Sequence, residues 1–179
     1  MNPFNLISED IVNEIHEFNE KLSKGYKSLS DLGEIHVGVS EKEAVYQEDN
    51  IVLYHFKSRT KNQNPVPLLI VYALVNRPYI ADLQEGRSII QGLLDQGVDV
   101  YLIDWGYPVS ADKYLTLDDY INGYIDRCVD VICEKYNRKN INLLGICQGG
   151  VFSLCYTAMY QKKVKNLITT TTPVDFHTK

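Results

Sequence analysis

The sequence predicts an α/β protein built on a doubly wound, mostly parallel sheet. Two observations carry most of this. Four apolar runs, 68–74, 98–105, 141–146 and 164–172, are nearly continuous rather than alternating, as suits strands covered on both faces. Segments with helical periodicity separate them, at about 80–96, 117–136 and 149–160. Strand and helix in alternation imply right-handed crossovers and a ligand site at the carboxyl ends of the strands. A third observation places that site. The run at 141–146 enters Gly145-Ile146-Cys147-Gln148-Gly149-Gly150, a tight strand-to-helix turn with a thiol at its tip.

The elements follow in order. Ser8 to about Leu29 reads as an amphipathic helix with Ile11, Ile15, Phe18, Leu22 and Leu29 on one stripe. That stripe either packs on the chain's own body or docks a partner helix. Residues 1–33 are read as this helical segment and 34–179 as the body. Residues 44–47 and 51–56 flank Glu48-Asp49-Asn50 and form an antiparallel hairpin. Residues 57–67 are polar with two prolines and form a surface loop. Thr116 and Asp119 give a capping-box-like start to a helix with its stripe at Leu117, Tyr120, Ile121, Tyr124, Ile125, Cys128, Val129 and Ile132.

The turn around Cys147 has the G-x-S-x-G nucleophile-elbow pattern with cysteine for serine. A nucleophile on so sharp a turn crowds its neighbours, so the flanking positions must lack a Cβ. The following helix aims its first N–H groups at the sulfur, a field that favours negative charge there and on a developing oxyanion. The bland alternative is a core cysteine beside a glycine turn. Cys128, Cys133 and Cys155 are read as small buried hydrophobes. No C-x-x-C pair occurs and the four histidines lack ligand spacing, so no structural zinc and no cofactor is expected.

Composition sets outer bounds. The chain has 179 residues, 45% hydrophobic, and a net charge of −5, enough for one substantial core. A mildly acidic chain without a basic block does not point to nucleic acid. No signal peptide and no membrane span are expected, and a reactive thiol suits a reducing cytoplasm.

Several stretches together carry a resemblance. They are residues 67–79, Tyr101-Leu102-Ile103-Asp104-Trp105-Gly106-Tyr107-Pro108, Leu117-Asp118-Asp119-Tyr120-Ile121, the Cys147 turn and Thr172-Pro173-Val174-Asp175-Phe176. The chain resembles the catalytic C subunit of class III polyhydroxyalkanoate synthases over nearly its whole length. The resemblance implies an α/β-hydrolase fold and polymerisation of (R)-3-hydroxyacyl-CoA, such as 3-hydroxybutyryl-CoA, through a cysteine thioester. It also implies a noncatalytic E subunit as partner and a cytoplasmic location at polyester granules. Cys147 is the expected nucleophile. The fold's oxyanion hole uses the N–H after the nucleophile, here Gln148, and one from the loop after the third strand, here Val75 or Asn76. The other role open to Asn76 is to cap the turn into Arg77-Pro78.

The activating pair departs from the pattern. In this fold the order is nucleophile, acid, histidine, and the family's acid and histidine lie downstream of the segment matching 172–176. The chain ends at Lys179, so the resemblance covers the N-terminal half of such an enzyme. The expectation is an incomplete hydrolase fold, a fragment or truncated chain, that carries the thiol without its base and does not turn over alone. His16, His36 and His55 are read as surface or hairpin residues. His177 lies near the correct sheet edge, but chain order disfavours it. Asp104 is read as a loop anchor and Asp175 as a turn residue. Two alternatives stay open: a thioesterase or another hydrolase of this fold, and a noncatalytic interaction domain.

Overall fold

The computed structural model describes residues 9–31, 37–175 and 177. The chain divides into two units, Met1–His36 and Val37–Lys179. The expected boundary after residue 33, the helix start at Ser8 and His36 all lie outside the described residues.

The first unit contains helix α1 (Glu9–Asp31). Exposed i,i+4 pairs, Glu17–Lys21 and Glu20–Lys24, line its polar side and contribute a few tenths of a kcal/mol each. Within the described residues of this unit nothing covers the apolar stripe, and Phe18, Leu22 and Leu29 are exposed.

The second unit holds strands β1 (Lys42–Glu48), β2 (Ile51–Phe56) and β3 (Leu68–Val71). A short ribbon follows, β4 (Asp82–Gln84) with β5 (Arg87–Ser88), and then helix α2 (Ile89–Asp95). After these come β6 (Val100–Asp104), α3 (Asp126–Lys135), β7 (Ile141–Ile146), α4 (Gln148–Met159) and β8 (Val164–Thr170). The main sheet runs β1-β2-β6-β3-β7-β8. The hairpin β1–β2 and its pairing with β6 are antiparallel, and β6, β3, β7 and β8 are parallel. The chain moves from β3 to β6 on one side and then returns across β3 to β7. That reversal is what makes the sheet doubly wound.

The apolar runs explain the two cores. Leu69, Val71, Tyr101, Ile103 and Leu143 face α3 and α4, meeting Ile125, Val129, Ile132, Phe152 and Tyr156. Their alternate neighbours Leu68, Ile70, Val100, Leu102 and Leu144 meet Ile90 and Leu94 of α2. Strands β3, β6 and β7 are covered on both faces and so are nearly continuously apolar, whereas β8, expected as a fourth such strand, is mostly exposed. Cys128 and Cys133 are buried here, and burial pushes the Cys128 thiol up to about 12. Cys155 corrects the expectation. It is exposed, because α4 turns Phe152 and Tyr156 toward the sheet and Cys155 away.

Two other expectations are corrected. The helix expected at 80–96 is confined to residues 89–95. The reason is Asp82, which is buried and accepts from Ser40 N–H (2.8 Å), Ser40 Oγ (2.8 Å) and Ser88 Oγ (2.6 Å). Those bonds satisfy the carboxylate only while the chain there is extended. Ser88 then caps α2, its Oγ accepting from Gln91 N–H at 2.9 Å. The helix expected at 117–136 runs from residue 117 to 135, but it contains a π-helical segment, Asp119–Ile125, before α3, and Leu117, expected on its buried stripe, is exposed. Asp119 accepts from the N–H and Oγ of Thr116, and these bonds hold its carboxyl below the usual value.

At the amino ends of the parallel strands lies a polar pair that periodicity does not reveal. His55 Nε2 is 2.7 Å from Oδ1 of buried Asp99, and the imidazole stacks on Tyr101 at 4.3 Å. Lys135 Nζ lies 3.2 Å from His55 Nδ1. Burial alone would raise the Asp99 carboxyl. Hydrogen bonds from His55 and Tyr136, with the charges of His55 and Lys135, hold it below the usual value. A depressed folded-state pKa gives stability that is present above the unfolded carboxylate value of about 3.9 and lost as pH falls through the folded one. Asp99→Ala should therefore cost about 3 kcal/mol near neutral pH. In urea titrations, its deficit against the parent should shrink below about pH 4.

Candidate active site

Cys147 follows the last residue of β7 and precedes the first residue of α4, with φ 56° and ψ −125°. A non-glycine residue there stores about 1–3 kcal/mol of backbone strain, which persists only if neighbours over-determine it. They do. Cys147 N–H donates to Thr170 O on β8 (3.0 Å), and Cys147 O accepts from Gly150 N–H (2.9 Å). The glycines permit the close packing this needs. A Cβ on Gly145 would come within 2.7 Å of Ser153 Oγ, and one on Gly149 would collide with the Val71 carbonyl. The thiol is partly exposed at the carboxyl edge of the sheet, at the amino end of a helix of 12 residues.

The loop after β3 forms the other wall. The apolar run continues to residue 74, but β3 stops at Val71, and the Tyr72 carbonyl accepts from the indole Nε1 of Trp105 at 2.9 Å. Tyr72 is buried, and its hydroxyl is raised by burial first and by the nearby Cys147 second. Leu74 N–H donates to Gln148 Oε1 at 3.1 Å. Val75 and Asn76 follow, both exposed. Arg77 then anchors the loop. Its Nη1 donates to Gly106 O (2.5 Å), its Nη2 lies 3.3 Å from Asp104 Oδ1, and its guanidinium sits 4.0 Å over the Tyr107 ring. Asp104 also accepts from Gly106 N–H at 3.0 Å, so it holds two loops together, as read from the sequence. A cavity of about 90 Å³ opens beside this loop between Leu74, Trp105, Gly106, Tyr120 and Tyr124.

The histidines are elsewhere. Strand register puts Val71 level with Gly145 and Leu68 level with Val100. His55–Asp99 therefore lies at the opposite sheet edge from Cys147, on the order of 15–20 Å away at about 3.3 Å per residue. His55 is more than the hairpin residue the sequence suggested, but this His–Asp pair is at the wrong edge to serve the thiol. His16 is exposed on α1. His177 is exposed, and its N–H donates to Asp175 Oδ1 at 2.9 Å in a local turn. Among the described residues no histidine hydrogen-bonds Cys147, and no cluster of His, Cys, Asp and Glu could hold a metal ion. No described helix is long and apolar enough to cross a membrane.

Sequence reasoning missed the Gln148 side chain, Arg77 and the Asp99 partner of His55. A glutamine immediately after Cys147 and an arginine in a turn were visible, but neither carries a periodic signal that names its partner.

Comparison with known proteins bears on this geometry. Residues 66–179 match the α/β hydrolase fold family. Residues 4–93 match the family described as the poly-beta-hydroxybutyrate polymerase (PhaC) N-terminus. The chain belongs to the PhaC family. It is 55% identical over 99% of its length to a poly(3-hydroxyalkanoate) polymerase subunit PhaC of Allochromatium vinosum, covering 51% of that protein. It is 54% identical over 94% of its length to the one from Synechocystis sp., covering 45%. A PhaC subunit of Cupriavidus necator is 31% identical over 76% of this chain, which covers 24% of it. The chain thus spans about half the length of the first two relatives. Solved structures confirm the fold. The Francisella virulence factor BioJ matches at a TM-score of 0.56 and 18% identity, over 97% of this chain and 58% of that one. A lipase-like protein of Sulfolobus solfataricus matches at 0.55 and 19%, over 78% and 53%.

Proposed function

We propose that this PhaC chain supplies the nucleophile of a class III polyhydroxyalkanoate synthase. The observation that carries the reading is a cysteine, not a serine, held at φ 56° on a strand-to-helix turn of an α/β-hydrolase sheet. In the proposed reaction the Cys147 sulfur attacks the thioester carbonyl of (R)-3-hydroxyacyl-CoA. A new C–S bond forms, the bond to the CoA sulfur breaks, and CoA leaves as a thiol. One thioester replaces another, so acyl-transfer potential is kept. The hydroxyl of a second acyl group then attacks, forming an oxoester and freeing the cysteine. Its proton needs a base. Because no described histidine bonds to Cys147, the base and its carboxylate are proposed to come from outside the described residues. Gln148 N–H and an N–H of Val75 or Asn76 receive the oxyanion in this reading. The partners proposed are the E subunit and the surface of a cytoplasmic polyester granule.

The test is the mass of the purified chain after brief incubation with 3-hydroxybutyryl-CoA, with analysis of what is released. A covalent 3-hydroxybutyryl adduct on Cys147, formed with release of CoA, supports the synthase. Steady release of free 3-hydroxybutyrate would replace it with a thioesterase. A thiol inert to both acyl-CoA and alkylating agents would leave a noncatalytic domain.

A further inference from the structure

The polymerase reading uses only the backbone of Gln148, yet its side chain makes the contact that joins the two walls of the site. Gln148 Oε1 accepts the N–H of Leu74 at 3.1 Å, across 74 residues of sequence. Both groups are half-buried. β3 has already ended at Val71, and the sheet gives Leu74 N–H no partner. A donor in that position costs free energy unless it is met, and the carboxamide meets it from the first turn of the nucleophile helix. Arg77 holds the far end of the same loop to Gly106 O and Asp104. Between the two pins stand the exposed residues Val75 and Asn76, which carry the candidate second oxyanion donors.

We infer that the Gln148 side chain is a positioning residue: it holds the Leu74–Arg77 loop at a fixed distance from Cys147, so that one residue presents an oxyanion donor through its backbone and sets the other through its carboxamide. This rests on the polymerase reading. The consequence is specific. Engaging Leu74 N–H removes it from competition for the oxyanion and leaves the next N–H groups free. Preorganised donors act because they need not move as charge develops, so loosening this pin should slow acyl transfer more than it slows simple reactions of the thiol.

Two readouts test it on this chain. The first is amide hydrogen exchange resolved by residue. In the parent, Leu74 should exchange at least about tenfold more slowly than Val75 and Asn76. Gln148→Met, which keeps the length and loses the acceptor, should erase that protection. Gln148→Glu keeps an acceptor oxygen and should retain it. Equal exchange of Leu74, Val75 and Asn76 in the parent overturns the inference without any variant. Loss of protection in both variants, or in neither, overturns it as well. The second readout is the ratio of Cys147 acylation by 3-hydroxybutyryl-CoA to alkylation by iodoacetamide. That ratio should fall at least about tenfold in Gln148→Met, and an unchanged ratio makes Gln148 a structural residue only. If the parent alkylates but takes no acyl group, loading requires the base proposed to lie outside the described residues, and the exchange data alone uphold or overturn the pin.

Discussion

Cys147→Ala should abolish any acyl adduct on this chain, and Cys147→Ser should lower its formation by at least about 10⁴-fold. The two losses have different causes. Alanine removes the attacking atom. Serine keeps an atom at the tip of the same strained turn, but a hydroxyl without an adjacent base is a weak nucleophile, and among the described residues no histidine bonds to this position. Serine would also convert the incoming thioester into an oxoester at the loading step, giving up the driving force that the second step uses. Intact-mass measurement after exposure to 3-hydroxybutyryl-CoA checks both variants. Buried Cys128 and Cys133 and exposed Cys155 are internal controls. An adduct that survives in Cys147→Ala would move the chemistry to another residue and remove the basis of the proposed function.

Gly149→Ala is the second large effect. A Cβ there would overlap the Val71 carbonyl and crowd Tyr72 C at 2.8 Å. Both are backbone atoms of the central strand and its exit, which cannot turn aside as a side chain can. The expected cost is about 3 kcal/mol, together with displacement of α4 and of the thiol it presents. The control is Gly92→Ala. Gly92 lies within α2, and an added Cβ would meet nothing within 4 Å. That change should stabilise by about 0.5–1 kcal/mol through helix propensity. Paired urea titrations separate the two. A Gly149→Ala protein as stable as its parent would show that α4 can shift away from β3, and the tight turn would no longer explain the glycine.

The elbow is legible in the sequence because all of its determinants are local. The apolar run, the thiol and the flanking glycines lie within ten residues of sequence, and one steric rule connects them. The same holds for the four parallel strands and for the hairpin at 42–56, whose polar turn and apolar flanks are neighbours in the chain. The Asp104 anchor is also readable, since a carboxylate at a strand end beside Gly106 has few other uses.

Local pattern in the sequence set the fold class, the apolar strands β3, β6 and β7 and the place of the glycine-flanked Cys147, because burial on both faces writes itself into consecutive residues. The paired side chains were decided by tertiary contact. Asp82 breaks the expected helix at 80–96 by drawing on Ser40, 42 residues away. Asp99 claims His55 from 44 residues away and fixes it at the edge opposite the thiol. Gln148 reaches Leu74 across 74. A buried polar group must find a partner wherever the folded chain brings one near, and that partner leaves no period in the sequence by which to find it.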